Sequence, residues 1–170
     1  MVKEMNPKLE LLRQIVEREQ DSLFRFAYMR TGSRSDAEDI VQDVLLGLFR
    51  SSERLDKVAS VRSYLLKSIA NKCTDYHRSH KFCTVSLEEA GNLRDEGINQ
   101  DKDLLKEYYR YNLLLEGLPQ EQSEVIRLRC YDGLKFSVIS EITGVKESSV
   151  KSRYRYAMQY LRNKLKKVEN

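Results

Sequence analysis

The stretch FSVISEITGVKESSVKSRYRYAMQYLRNKL, residues 136–165, holds two helical patterns separated by Gly144-Val145-Lys146. Ile139 and Ile142 recur within the first. In the second, Val150, Tyr154, Ala157, Leu161 and Leu165 repeat at the spacing of one α-helical face. Glycine at the reversal tolerates the left-handed backbone that sharp turns often require. Ser148 stands where a cap for the second helix is expected. Ile139, Ile142, Val145 and Val150 lock such a pair together, which is a helix-turn-helix layout. Ser149, Lys151, Ser152, Arg155 and Tyr156 then fall toward the open side. A recognition helix needs short polar side chains for close approach to a major groove, and arginine or lysine for guanine edges or phosphates. The competing account is a solvated basic face on a carboxy-terminal helix.

Working outward, the charge is unevenly spread. From residue 146 onward eight basic side chains face two acidic ones, net +6, whereas residues 86–107 carry seven acidic and three basic, net −4. The stretch 86–100 contains Gly91, Asn92 and Gly97 and has no sustained period, so it reads as a linker between two domains. Before the helix-turn-helix, residues 104–115 read as a helix. Gly117-Leu118-Pro119 then breaks the chain, with Pro119 suited to the first turn of the next helix, which ends near Asp132-Gly133.

On the other side of the linker lie three helical blocks. The first, residues 9–29, has Leu12, Ile15, Val16, Leu23, Phe26 and Ala27 at helical spacing, and Thr31-Gly32 stops it. The second opens on a capping box, Ser35 to Glu38. Ala37, Ile40, Val41, Val44, Leu45, Leu48 and Phe49 line its inner face, while Asp36, Asp39, Gln42 and Asp43 lie off it. That acidic patch serves either the helix dipole or a partner. After a polar connection, residues 51–60, the third block runs over 61–78. It turns Val61, Tyr64, Leu65, Ile69, Cys73 and Tyr76 toward a core and leaves Lys67, Lys72 and Arg78 outside. Tyr64 and Tyr76 are either core side chains or rings that stack on unpaired bases.

The chain has 170 residues, 41% of them hydrophobic and 33% charged, with only 7 Gly and 2 Pro; the expectation is an all-α protein of two small helical domains. No apolar run reaches the roughly 18 residues of a membrane span, and residues 1–10 hold no signal-peptide core, so a cytoplasmic location is expected. The three cysteines, an odd number in a chain long enough to bury a core, imply reduced thiols rather than a disulfide framework. Cys73, His77, His80 and Cys83 are the right types for zinc, but their spacing matches no common zinc pattern and no metal or cofactor is expected. With no phosphate loop, nucleophile motif or convincing carboxylate pair, an enzyme is disfavoured.

Three stretches together, DAEDIVQDVLLGLF, VRSYLLKSIANKCTDYHRS and the run from LPQEQSEVIRLRCYDGLKF through the helix-turn-helix, resemble the bacterial RNA polymerase sigma factors of the extracytoplasmic-function type. The resemblance covers residues 23–165 in the family's order and approximate spacing. It implies a promoter-specificity factor with a first domain over 1–85, an acidic linker over 86–103 and a second domain over 104–170. By resemblance Asp39, Gln42 and Asp43 contact core RNA polymerase. Ser63, Tyr64, Lys67, Asn71, Lys72 and Arg78 belong to the part that captures the melted minus-ten element, where a preformed pocket offsets the cost of unstacking a base. Ser149, Lys151, Ser152, Arg153 and Arg155 belong to the reader of the duplex minus-thirty-five element, phosphate contacts positioning and base contacts specifying. The linker is either a solvated tether or a mimic of a nucleic-acid backbone in polymerase channels. An anti-sigma factor is a further expected partner. Ser137-Val138, Tyr156, Phe49 and Tyr64 depart from the family's common residues, respectively acidic, arginine and twice tryptophan. The alternatives are a stand-alone helix-turn-helix regulator and an inhibitory adaptor that sequesters a partner; neither needs promoter melting.

Overall fold

A computed structural model describes residues 7–51, 60–80 and 99–168, in which helices are the only regular elements. They are α1 (Pro7–Thr31), α2 (Arg34–Arg50), α3 (Val61–Ser79), α4 (Asn99–Leu115), α5 (Gln120–Ile126) with a π-helical turn (Arg127–Tyr131), α6 (Phe136–Thr143) and α7 (Glu147–Val168). The chain forms two compact units, Met1–Tyr108 and Tyr109–Asn170, and the division falls within α4. The connection at 52–59 and most of the acidic segment, 81–98, lie outside the described residues, as does Cys83. α4 starts at Asn99, earlier than the Leu104 expected from the pattern, so the end of the stretch read as linker is helical.

In the first unit α1, α2 and α3 pack on one another. Leu23, Phe26, Leu48, Leu65, Leu66 and Ile69 are among its fully buried side chains. The expected capping box at Ser35 is replaced by a cap two residues earlier. Ser33 is extended at φ −126, ψ 125, and its hydroxyl accepts from the Asp36 amide at 3.3 Å. Gly32 at φ 68 reverses the chain within two residues, which leaves Ser33 as the last non-helical residue and so the cap. On α3, Leu66 is buried where the pattern did not assign it, and Tyr64, expected toward the core, is exposed.

In the second unit α5 and α6 both pack on α7. Leu115, Ile126, Ala157 and Leu161 form one buried cluster, while Ile139, Ile142 and Val150 close the helix-turn-helix, as their spacing implies. Gly144 is left-handed at φ 71, ψ 15; its amide donates to the Ser140 carbonyl, and the Ser140 hydroxyl donates to the Val145 carbonyl at 2.6 Å. Two expected caps shift. Pro119 sits outside α5 rather than in its first turn, its carbonyl accepting from the Gln122 and Ser123 amides. Lys146, not Ser148, precedes α7, and its carbonyl accepts from the Ser149 and Val150 amides, because the helix begins one residue before Ser148. Leu165, expected in the inward stripe, is 53% exposed. The packed seam ends at Leu161. Within the next turn the Lys164 ammonium donates to the carbonyls of Leu113 and Glu116, each at 3.0 Å, at the end of α4, so polar contacts take over from apolar packing there.

Candidate nucleic-acid interface

α7 carries the first candidate surface. Its inner face is filled by Val150, Ala157 and Leu161, all buried, with Tyr154 and Met158 packed alongside. Opposite them Ser149, Lys151, Arg155 and Tyr156 are exposed and Ser152 is partly so. The helical period forces this separation: once the apolar stripe is committed to α5 and α6, these positions point to solvent. Arg153 differs. It lies on the flank of the seam, 27% exposed, and pairs with Glu121 of α5 at 2.7 Å. Lys151 pairs with Glu147 one turn back at 2.7 Å. Two of the three cations therefore enter any encounter already compensated. Arg155 has its guanidinium carbon 5.3 Å from the centre of the Tyr156 ring.

Behind this face, Phe136 at the start of α6 packs on Tyr154 with ring centres 5.3 Å apart, and the Arg129 guanidinium lies 4.7 Å from the Phe136 ring centre. Burial pushes the Tyr154 phenol above its ordinary value, and Cys130 beside it adds to the shift, while Arg129 and Arg162 oppose it. The neutral phenol is favoured by burial against the hydrophobic seam, which outweighs the pull of the neighbouring cations toward the phenolate.

α3 carries the second surface. Leu65, Leu66, Ile69 and Cys73 are buried, and on the opposite side Tyr64, Lys67, Asn71 and Arg78 form an exposed stripe along the helix. An aromatic ring at one end followed by amide and cationic groups is a layout on which unpaired bases and their phosphates can lie. Ser63, whose amide donates to the Ser60 cap, flanks the stripe. Lys72 is set apart: it turns to α2 and meets Asp43 at 3.4 Å. Tyr76 likewise turns to α2, its hydroxyl donating to Asp36 at 3.0 Å, and stacks on His80 at 4.2 Å.

α2 carries the acidic patch. Asp39, Gln42 and Asp43 lie on the side away from Ala37, Ile40, Val41 and Val44, and all three are exposed. Asp43 and Lys72, assigned by resemblance to different partners, thus touch each other. Of the zinc-type residues, Cys73 is buried, whereas His77 is exposed and sets a ring nitrogen against the Arg30 carbonyl. Among the described residues no helix is long and apolar enough to cross a membrane.

Comparison with known proteins bears on these surfaces. Residues 15–82 match the Sigma-70 region 2 family and residues 110–161 the Sigma-70 region 4 family. The RNA polymerase sigma factor SigV of Bacillus subtilis (strain 168) is 29% identical over 172 residues, covering 99% of each chain. The ECF RNA polymerase sigma factor SigK of Mycobacterium sp. (strain KMS) is 30% identical over 170 residues, covering 90% of this chain and 88% of its own. Two solved structures share the fold. CnrH, in complex with the cytosolic domain of CnrY, matches with a TM-score of 0.70 at 21% identity, over 93% of this chain and 89% of CnrH. The sigma factor RpoE, in complex with the anti-sigma factor NepR from Bartonella quintana, matches with a TM-score of 0.64 at 19% identity, over 91% and 96%.

Proposed function

The chain belongs to the extracytoplasmic-function RNA polymerase sigma factors, and from that premise we propose how its parts divide the work of promoter recognition. It is a promoter-recognising subunit of RNA polymerase and catalyses no reaction of its own. Residues 1–85 bind core polymerase and the melted minus-ten element, 86–103 connect, and 104–170 read the minus-thirty-five duplex. Asp39, Gln42 and Asp43 on α2 meet the core enzyme. Tyr64, Lys67, Asn71 and Arg78 receive the unpaired strand, with Ser63 at the edge of the base-holding pocket and Lys72 on the phosphates. On α7, Ser149, Ser152 and Arg155 approach base edges while Lys151 and Arg153 neutralise phosphates. The protein works in the cytoplasm beside its polymerase. An anti-sigma partner holds it when idle, as the solved complex of RpoE with NepR illustrates for that protein.

The observation that carries this reading is the polar face of α7 standing opposite a filled hydrophobic seam, so that the helix can enter a groove without losing packing. The test is a reconstituted holoenzyme. Arg155→Ala weakens binding to upstream-element duplex and leaves core association intact, whereas Asp43→Ala weakens core association. Selective loss of core association in Arg155→Ala overturns the assignment.

A further inference from the structure

Of the cations assigned to the upstream-element surface, two are neutralised by carboxylates of this chain: Lys151 by Glu147 and Arg153 by Glu121, each at 2.7 Å. Arg155 is different. Among the described residues its guanidinium approaches no carboxylate, and the group it meets is the ring of Tyr156, 5.3 Å from guanidinium carbon to ring centre. That ring is 55% exposed and is not among the side chains packed on the cluster of Leu115, Ile126, Ala157 and Leu161, so hydrophobic burial does not explain its position. An aromatic face attracts a guanidinium while leaving its charge and its five in-plane N–H donors available. A carboxylate in the same place would offset the charge and occupy up to two of the donors.

We propose that Tyr156 is the positioning residue for Arg155, holding its planar fork in the orientation that reads a base edge and so setting base preference at one position of the upstream element. The proposal rests on the reading of α7 as the helix that meets the minus-thirty-five duplex. A free arginine on a helix surface samples many rotamers and loses that freedom on binding. Held against Tyr156, it starts closer to its bound geometry. Bidentate pairing with a guanine needs both the in-plane fork and a fixed approach angle, so restricting the fork sharpens discrimination as well as affinity.

The experiment uses the full chain in holoenzyme and a library of duplexes with a randomised upstream region, from which the wild-type protein first selects its own element. Tyr156→Ala, Tyr156→Phe and Arg155→Ala are then run through the same library, and the slope of affinity against salt is measured on the wild-type element. Tyr156→Ala flattens the base preference at the position that Arg155→Ala flattens, with an affinity loss of about two- to five-fold, the size expected of an exposed cation–π contact. Tyr156→Phe, which keeps the ring, restores the preference. Tyr156→Ala also leaves the salt slope at its wild-type value, since no phosphate contact is removed. A preference unchanged in Tyr156→Ala, or changed at positions Arg155→Ala leaves intact, overturns the proposal. A reduced salt slope does so too, because it makes Tyr156 a backbone contact. Failure of the wild-type holoenzyme to select any element strikes instead at the reading of α7 itself.

Discussion

Replacing Gly144 by alanine isolates what the backbone of the helix-turn-helix requires. Gly144 sits at φ 71, ψ 15, and a Cβ built there would meet no other atom within 4 Å, so no packing cost enters. What remains is the left-handed backbone, which costs a residue with a Cβ about 1–2 kcal/mol. The lower entropy of the unfolded alanine chain offsets about 0.4–1 kcal/mol of that. The net expectation is a loss of about 1 kcal/mol. Gly144→Asn loses less, because the short amide side chain supports the same region by local hydrogen bonding. Gly32→Ala loses more: its backbone is similarly left-handed, and its Cβ would fall on the ring of Tyr108, which must swing aside. Urea unfolding followed through the amide exchange of α6 and α7 measures the two Gly144 variants. With slopes of about 1–3 kcal/mol per molar urea, a loss of about 1 kcal/mol moves the midpoint by about 0.3–1 M. Unfolding of Gly144→Ala at the wild-type urea concentration refutes the reasoning, and so does an asparagine variant as unstable as the alanine one.

The Asp43–Lys72 pair is exposed on both sides, 65% and 51%, so severing it by Asp43→Ala costs no more than about 1 kcal/mol of stability. A large fall in core association with an unchanged thermal midpoint therefore reports a lost intermolecular contact, and a collapsed midpoint contradicts that. The Tyr154 phenol has a folded pKa raised above the ordinary 10.0. Its contribution to stability is fully present below that ordinary value and is lost as pH rises through the folded one. Tyr154→Phe consequently flattens the alkaline loss of stability, which thermal unfolding across that range checks; identical curves for the two proteins exclude the assignment.

The parts of the fold visible in the sequence are those where one helical period is enforced by burial. Ile139, Ile142 and Val150 mark the helix-turn-helix because each is committed to one interior, and the residues opposite follow without further information. Ala37 through Leu48 mark α2 for the same reason. Caps are less legible. Ser33 and Ser35 are equally good capping residues by type, and only the reversal at Gly32 decides between them. Leu165 carries the right period, but burial ends where the neighbouring helices end, and that limit is not written in α7 itself. Nor does the sequence show that Glu121 compensates Arg153 or that Asp43 meets Lys72, since each pair joins two helices. The Glu147–Lys151 spacing, one turn apart with the acid first, is a local signal that does announce its pair.

The central claim is that this chain lets core RNA polymerase open a promoter. The direct measurement is the permanganate reactivity of thymines around the start site, on a supercoiled template bearing the element the holoenzyme selects, with core enzyme and chain present together or singly. Reactive thymines appearing only when both are present, and disappearing in a variant with Tyr64, Lys67 and Asn71 changed to alanine, is the predicted result. A chain that grips the duplex by itself yet never yields reactive thymines with core polymerase is a duplex-binding regulator, and the account above is then wrong.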